Sequence, residues 1–264
     1  MFEKPTTQEQ QQVSTEREFM LEAVAELEEP IKKIIEKIKS RIEAGEYGII
    51  IGDDASGRIP ALILGNFIKK VSEARGLSKP NIIFIPGKLT KDMPGGDFVQ
   101  EGQRIERIQE FDDYLSEHGA DKNKKVLIVT DTVQSGGSLS ALVDLLNKSG
   151  YVAEIVTIGL EFEDDEKMQK RRKRHLKNTE IISGEYRRSR EPVSRTIDNT
   201  PMIYGKHELG GVKKIEGDDK SKPTKVFETY GKQGIQHSIN QAREDAAIIT
   251  DSLFNWYESQ KHEK

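Results

Sequence analysis

An aspartate and a serine–glycine loop follow directly on a run of apolar residues near the middle of the chain. Residues 126–129 are all apolar, which is typical of a strand covered on both faces, and Asp131 follows at the end where open α/β sheets bind ligands. Residues 135–138 read Ser-Gly-Gly-Ser. Glycines let a ligand approach the backbone, and the N–H groups at the start of a helix favour anions. The stretch therefore predicts a phosphate-binding loop.

The spacing of this loop excludes two common phosphate motifs. The nucleotide P-loop requires the pattern G-x-x-x-x-G-K-[ST], and no lysine follows the glycines here. The dinucleotide fingerprint requires G-x-G-x-x-G, and that glycine spacing is also absent.

Residues 126–139 resemble the phosphoribosyl pyrophosphate (PRPP) signature of the type I phosphoribosyltransferases. That signature has four apolar residues, two acidic residues, two apolar residues, a variable residue and then Thr-Gly-Gly-Thr. Asp131 matches the second acidic position, whereas Thr130 stands in place of the first. Gln134 occupies the variable position, where purine-salvage members often carry a catalytic Asp and other members carry Ala.

The resemblance implies binding of PRPP or another ribose 5-phosphate, and transfer of the phosphoribosyl group to a nucleobase-like acceptor with release of pyrophosphate. It implies a catalytic position for Asp131, which would contact the ribose hydroxyls. The substrate-binding residues that we expect in this segment are Thr130, Thr132, Gln134, Ser135, Gly136, Gly137 and Ser138.

A second candidate loop follows the first predicted strand, residues 47–51. In the family, the loop after the first core strand holds the pyrophosphate of PRPP, and residues 56–60, Ser-Gly-Arg-Ile-Pro, are similar to it. The carboxylates of Asp53 and Asp54 would repel pyrophosphate unless a divalent cation lay between them, so we expect Mg²⁺ bound by these two residues and Asp131. The pyrophosphate-binding residues that we expect are Ala55, Ser56, Gly57 and Arg58.

A helix cap is the alternative interpretation of the second loop. In that case Asp54 or Ser56 accepts a backbone hydrogen bond at the start of the next helix, and Arg58 is merely solvated. The presence of two phosphate-type loops in one chain favours the binding interpretation.

Strands and helices alternate along the chain, which predicts an α/β fold: a parallel twisted sheet with helices on both faces, like that of the type I phosphoribosyltransferases. Pro30 interrupts a helical pattern over residues 16–44, which predicts two helices or one kinked helix ending at Gly45. The further predicted helices cover 59–73, 98–118 and 138–148, and the further predicted strands cover 81–85, 126–129, 152–160 and, at the sheet edge, 181–182.

The segment between the second strand and the following helix is rich in Pro and Gly and must be a loop. In the family, a mobile loop near this point closes over the reacting centre, and Lys88 and Lys91 are the candidates for that role. The helix that follows is expected to direct four apolar side chains toward the core, namely Ile105, Ile108, Phe111 and Leu115.

A block of charge follows the fourth strand. Residues 161–166 are mostly acidic, and the segment 167–195 is strongly basic. Such a run could contact nucleic acid, but a solvated helical face that offsets the adjacent acidic residues is the favoured interpretation.

The last residues carry an apolar stripe at heptad spacings, from Ile235 to Trp256. The stripe can pack on the chain's own core or on a second subunit, and its length does not decide between them; we expect a homodimer. The organisation that we expect is a flexible tail, a phosphoribosyltransferase-like domain, and a linker with a C-terminal helix, at residues 1–15, 16–205 and 206–264.

Composition excludes several other classes of protein. The absence of cysteine rules out disulfides and thiolate metal sites, and the five histidines form no ligand pair at the spacing of a helix or a zinc finger. A net charge of -4 argues against a wholly basic nucleic-acid binder. No apolar run has the length of a membrane span, so we expect no membrane contact and a cytoplasmic protein.

Two other functions remain open at this point. Thr130, Gln134 and the basic segment are compatible with a PRPP-type fold that senses a nucleotide or binds nucleic acid without catalysis. A hydrolase or another transferase acting on ribose phosphates is a third possibility, because fold does not fix reaction.

Overall fold

The structure is a computed structural model, and it describes residues 21–53, 57–85, 101–177, 179–186 and 233–260. Several predictions concern residues outside this set, namely the tail at 1–15, Asp54, Ala55, Ser56, Lys88, Lys91 and the linker that begins at 206.

The described residues form one five-stranded sheet in which every pair of neighbours is parallel. The strands are β1 (Tyr47–Asp53), β2 (Asn81–Ile85), β3 (Lys125–Val133), β4 (Ala153–Leu160) and β5 (Ile181–Tyr186). Their order is β2-β1-β3-β4-β5. The chain therefore moves from β1 to one side and then crosses to β3 on the other side. This reversal opens a crevice at the carboxyl ends of β1 and β3, where α/β sheets bind ligands.

Helices cover both faces of the sheet, so the predicted fold class is confirmed. The helices are α1 (Glu22–Ala25), α2 (Glu28–Glu43), α3 (Arg58–Ala74), α4 (Glu101–Glu117), α5 (Ser140–Lys148), α6 (Glu166–His175) and α7 (Gln233–Ser259). On one face, α1, α2, α3 and α7 pack around a core that contains Ile50 and Leu127. On the other face, α4 and α5 pack around Ile49, Ile51 and Ile128. The alternation of neighbouring isoleucines between the two cores follows from the period of two in a strand.

The central strand is longer than its apolar run. The sequence predicts a strand over 126–129, but β3 continues to Val133 and therefore includes Thr130 and Asp131. Thr130 pairs with Thr157 of β4 and Val133 with Leu160, so the ladder extends through the polar residues. The predicted strand was too short because the apolar run ends at Val129, whereas pairing with β4 continues to Val133.

Two predictions about helix packing have opposite outcomes. The interruption at Pro30 is confirmed as a break between α1 and α2, and Pro30 lies in the first turn of α2, where its missing N–H costs nothing. The core-facing role of Ile105 is wrong, because its side chain is 63% exposed, whereas Leu115 on the same helix is fully buried. The described core contacts of α4 come from its second half, which includes Phe111.

The C-terminal helix packs on its own chain. Ala242, Ala246, Ile249 and Leu253 are buried in the core that contains α3. Thr250 Oγ1 also donates a hydrogen bond to the carbonyl of Ile63 over 3.3 Å. This part of the heptad stripe is therefore satisfied within one chain. Among the described helices, none is long and apolar enough to cross a membrane.

A buried carboxylate ties together the amino ends of the strands, away from the crevice. Glu154 of β4 is 4% exposed and accepts hydrogen bonds from Tyr47 Oη at 2.8 Å, Arg41 Nη1 at 2.9 Å and Lys125 Nζ at 2.5 Å. Burial alone would raise the pKa of Glu154, but the hydrogen bonds from Lys125 and Tyr47 and the positive charges of Lys125 and Arg41 outweigh it and lower that pKa below its ordinary value. The cluster is thus a charged clamp at the end of the sheet opposite the candidate site.

Candidate functional site

Two polar strand ends meet at the crevice between β1 and β3. Asp53 is the last residue of β1 and is 7% exposed, and Thr130 of β3 is 1% exposed. Thr130 Oγ1 donates a hydrogen bond to Asp53 Oδ2 at 3.4 Å. The residue that departs from the PRPP signature is therefore joined directly to a predicted metal ligand.

Asp131 is held by its own strand and by β4. Its side chain is almost fully buried, and Oδ1 accepts a hydrogen bond from the N–H of Thr132 at 2.6 Å. Its main-chain oxygen accepts a hydrogen bond from Thr157 Oγ1 at 3.1 Å. Thr132 Oγ1 is also buried, and it has no hydrogen-bond partner in the part of the chain that the structure describes. One oxygen of the Asp131 carboxylate is therefore held by the backbone of its own strand.

The predicted phosphate loop is closed by its own hydrogen bonds. The N–H of Leu139 donates to the carbonyl of Gly136 at 3.2 Å, and Ser140 Oγ donates to the carbonyl of Gly137 at 2.9 Å. Helix α5 consequently begins at Ser140. The predicted start at residue 138 is wrong by two positions, because residues 137–139 form a separate turn.

The hydroxyls of the loop differ in their surroundings. Ser135 is half-buried, and its Oγ accepts a long hydrogen bond, 3.4 Å, from the N–H of Gly137. Ser138 and Gln134 are exposed. Both serine hydroxyls therefore remain in positions from which a bound anion could accept hydrogen bonds, and Gln134 lies at the entrance of the loop.

The two loop glycines serve different purposes. Gly136 has φ +74°, and a Cβ at this position would lie 2.7 Å from Cγ of Leu176. Gly136 is therefore required by both backbone conformation and packing. At Gly137 a Cβ would meet nothing closer than Ser135 Oγ at 3.5 Å, so this glycine leaves open space beside the loop.

Gly57, just before α3, lies against β3. The N–H of Gly57 donates to the carbonyl of Asp53 at 2.7 Å, and a Cβ on Gly57 would lie only 2.4 Å from the carbonyl oxygen of Val129. A larger residue at position 57 would push the backbone there away from β3. The predicted roles of Asp54, Ala55 and Ser56, and the alternative of a side-chain cap from this loop, lie outside the described residues.

Arg58 is the first residue of α3, and its side chain packs against an aromatic ring. Its guanidinium carbon lies 4.6 Å from the centroid of the Phe84 ring, which is a cation–π distance. A cavity of about 390 Å³ opens beside it and is also lined by Asn66, Arg243 and apolar residues of α3 and α7. Arg58 thus borders both the loop after β1 and a cavity of ligand size.

The basic segment contains a residue whose role the sequence did not reveal. Arg172 of α6 is 5% exposed, and its guanidinium donates to the carbonyls of Gln134, Glu161 and Phe162. Arg172 is therefore buried, contrary to the prediction of a solvated helical face. Met168 and Leu176 lie four residues to either side, and this spacing was the signal that Arg172 shares the helix face turned to the protein. Lys167, Lys170, Arg171 and Arg174 line a separate surface depression.

The donor set at the crevice suits one mode of magnesium binding. Within the described ranges, no group of three or more His, Asp or Glu side chains is arranged to hold a metal ion. Mg²⁺ is commonly bound by one or two carboxylates together with substrate phosphates, and Asp53 and Asp131 lie on neighbouring strands at the crevice. Asp53 and Asp131 are therefore the predicted magnesium ligands that lie among the described residues, and a metal site built on them stays a prediction.

Comparison with known proteins gives one partial similarity. The chain is 30% identical, over 123 residues, to a curated adenine phosphoribosyltransferase of Mycoplasmopsis agalactiae (strain NCTC 10123 / CIP 59.7 / PG2). The match covers 46% of this chain and spans 63% of the length of that relative. No protein-family model matches the chain. The similarity and the five-stranded parallel sheet both fit the type I phosphoribosyltransferase resemblance of residues 126–139.

Proposed function

We propose that the protein binds PRPP in the crevice between β1 and β3 and transfers its phosphoribosyl group to a nucleobase-like acceptor, releasing pyrophosphate. The observation that supports the proposal is that the two predicted phosphate loops follow neighbouring strands, β1 and β3, at one switch point. Gly57, in the loop after β1, packs against the carbonyl of Val129, and the loop after Asp131 begins at the end of the same strand. Two anion-binding loops at one crevice suit a ligand with phosphate groups at both ends.

Each loop takes one end of PRPP in this proposal. Residues 135–138 bind the 5-phosphate through backbone N–H groups and the hydroxyls of Ser135 and Ser138. Asp131 accepts hydrogen bonds from the ribose hydroxyls, because an ionised carboxylate is a strong acceptor. The loop that ends at Arg58 binds the pyrophosphate, and the stacking of Arg58 on Phe84 supports a fixed direction for its guanidinium.

Magnesium completes the proposed site. When bound, it neutralises charge on the pyrophosphate and so makes this group a better leaving group. Asp53 and Asp131 would hold it together with oxygens of PRPP, and Asp54 is the third predicted ligand.

The chain's own contribution is positioning and electrostatic stabilisation. In the reaction, the bond between the anomeric carbon and pyrophosphate breaks and its electron pair leaves with pyrophosphate. A ring nitrogen of the acceptor forms a bond to that carbon and releases its proton to water. Fixed contacts at both anionic ends hold the sugar in line for this displacement. Gln134 lies at the entrance of the loop, and its neutral amide cannot take a proton from the acceptor near neutral pH. The acceptor must therefore be reactive without a carboxylate base at this position.

Release of pyrophosphate across a panel of bases tests the proposal. We expect PRPP- and Mg²⁺-dependent release with at least one base, and adenine is the first candidate because the similar curated protein is an adenine phosphoribosyltransferase. Hypoxanthine and guanine should be poor acceptors, and Gln134→Asp should raise the rate of pyrophosphate release with both bases. Absence of release with every base would contradict transferase activity.

A sensor that binds PRPP without turnover is the second candidate. It is favoured by one observation: Thr130 replaces the first acidic residue of the signature, and its hydroxyl contacts Asp53. Fewer carboxylates at the crevice weaken binding of metal and ribose. Binding of PRPP without release of pyrophosphate distinguishes this sensor from an enzyme.

Light scattering tests the separate prediction of a homodimer.

A further inference from the structure

The buried arginine of α6 connects two loops at the carboxyl edge of the sheet. Arg172 Nη1 donates to the carbonyls of Gln134 at 2.9 Å and Glu161 at 2.7 Å, and Nη2 donates to the carbonyl of Phe162 at 3.2 Å. Gln134 leads into the phosphate loop, whereas Glu161 and Phe162 follow β4. One planar guanidinium thus fixes the backbone of both segments relative to each other.

The segment after β4 depends on this contact. Phe162 has φ +53°, a left-handed conformation that is rare for an aromatic residue and is strained. The hydrogen bond from Arg172 to its carbonyl stabilises that conformation. The N–H of Glu161 also donates to the carbonyl of Val133 at 3.0 Å, which joins this segment to the end of β3.

A second residue of the same helix face supports the phosphate loop. Leu176 lies one helical turn after Arg172, is 1% exposed, and packs where a Cβ on Gly136 would stand. Helix α6 is itself fixed at its start, since Asp165 accepts hydrogen bonds from the N–H groups of Lys167 and Met168. The loop therefore rests on a capped helix through a hydrogen bond at Gln134 and an apolar contact at Gly136.

The guanidinium of Arg172 contacts main-chain oxygens. Its three hydrogen-bond acceptors among the described residues are the carbonyls of Gln134, Glu161 and Phe162. Burial lowers the pKa of Arg172, while the more distant charges of Glu163 and Asp165 act in the opposite direction. A buried charge is screened less by salt than an exposed one, so its field extends to the loop in front of it.

We propose that Arg172 is a positioning residue for phosphate binding: it holds the loop at residues 135–138 in its binding conformation through Gln134 and places a buried guanidinium against the backbone that leads into the loop. This proposal rests on the proposed function for the identity of the ligand. The geometry of the support itself is independent of that ligand.

Three variants separate position from charge. Arg172→Met removes the donors and the charge and keeps a long apolar side chain. Arg172→Lys keeps the charge but cannot bridge the carbonyls of both segments. Arg174→Met is the matched control, because it removes the same charge from an exposed position on the same helix.

The first measurement needs no ligand. Hydrogen exchange of the amides of Leu139 and Glu161, which donate to the carbonyls of Gly136 and Val133, should accelerate about tenfold or more in Arg172→Met and Arg172→Lys, and stay within about twofold of wild type in Arg174→Met. The buried amides of β4 serve as the internal standard for global unfolding. Equal exchange in the 172 and 174 variants would overturn the positioning role. If Arg172→Met does not fold, Arg172→Lys supplies the same comparison.

The second measurement is affinity for PRPP with Mg²⁺, taken per folded molecule and repeated at two salt concentrations. Arg172→Met should weaken binding by about tenfold or more, because it loses loop geometry and charge together. Arg172→Lys should lie between Arg172→Met and wild type, and Arg174→Met should stay within about twofold of wild type. Unchanged affinity in Arg172→Met would overturn the proposal. Failure of the wild type to bind PRPP would refute the proposed function, while the exchange result would still decide whether Arg172 supports the loop.

Discussion

Thr130 Oγ1 lies 3.4 Å from Asp53 Oδ2 and links the carboxyl ends of β3 and β1 at the proposed metal-binding crevice. The PRPP signature has an acidic residue where Thr130 stands. Thr130→Asp would place two carboxylates at this buried contact, so we expect the free energy of unfolding to fall by at least about 1 kcal/mol without metal. Mg²⁺ should restore part of that loss, because it binds only the folded crevice.

Thr130→Val is the matched control for this experiment. It keeps the shape of the side chain and removes only the hydroxyl, so stability should fall by about 1 kcal/mol regardless of Mg²⁺. Chemical denaturation of both variants with and without Mg²⁺ gives the comparison. If Mg²⁺ changed the free energy of unfolding of neither variant, a metal site at this contact would be contradicted.

Asp131→Asn should lower affinity for PRPP while the fold persists. The amide oxygen can still accept the hydrogen bond from the N–H of Thr132, but the charge and one acceptor are lost. We expect binding to weaken by about tenfold, with little change in melting temperature. Asp113→Asn, at an exposed position on α4, removes the same charge and serves as the control. A lower melting temperature with unchanged affinity per folded molecule would show instead that Asp131 only stabilises the strand end.

The two loop glycines should respond differently to alanine. Gly136→Ala places a methyl group against Leu176 in a left-handed backbone conformation, so we expect a loss of about 1 to 3 kcal/mol in stability. Gly137→Ala should leave stability within about 0.5 kcal/mol of wild type but weaken PRPP binding, because its methyl group enters the open space beside the loop. Urea denaturation and PRPP titration of both variants measure these effects. An equal loss of stability in Gly136→Ala and Gly137→Ala would contradict the different roles assigned to the two glycines.

Glu154 should make stability depend on pH at the other end of the sheet. Its folded pKa lies below the ordinary value of 4.5, so its contribution is present above that pH and is lost as the pH falls through the folded pKa. Glu154→Gln should cost about 1 to 3 kcal/mol at pH 7, and the difference from wild type should shrink below pH 4.5. Glu180→Gln is the control, since Glu180 contacts the same Arg41 from a side chain that is 52% exposed. If the stability difference between Glu154→Gln and wild type grew on acidification, the assigned direction of the pKa shift of Glu154 would be contradicted.

Regular apolar patterns predicted most of the fold. The strand β2 and the break at Pro30 were predicted correctly, because a run of apolar residues and a missing N–H leave local signals. The extension of β3 through Thr130 to Val133 left none, since it depends on pairing with β4. Packing of α7 on α3 also required the structure, because the same stripe of apolar residues suits a second subunit equally well.

The candidate site was predictable where residue type carries the chemistry. Asp131 and the loop at residues 135–138 could be singled out from a contiguous motif. Arg172 was missed, because a basic run is usually solvated. Its spacing from Met168 and Leu176 indicates the inward helix face, but its hydrogen bonds to Gln134 and the segment after β4 are known only from the structure. The exposure of Ile105 shows the converse error, in which an apolar residue on a predicted helix face lies beyond the core.

Calorimetric titration of PRPP with Mg²⁺ into the wild type and into the double variant Ser135→Ala with Ser138→Ala tests the central claim most directly. The wild type should bind PRPP at one site, and the double variant should bind at least about tenfold more weakly, because two hydroxyl donors to a charged phosphate are lost. Ser259→Ala, at an exposed position near the end of α7, should bind like the wild type. No binding by the wild type, or equal affinity of the wild type and the double variant, would contradict a PRPP site at this loop.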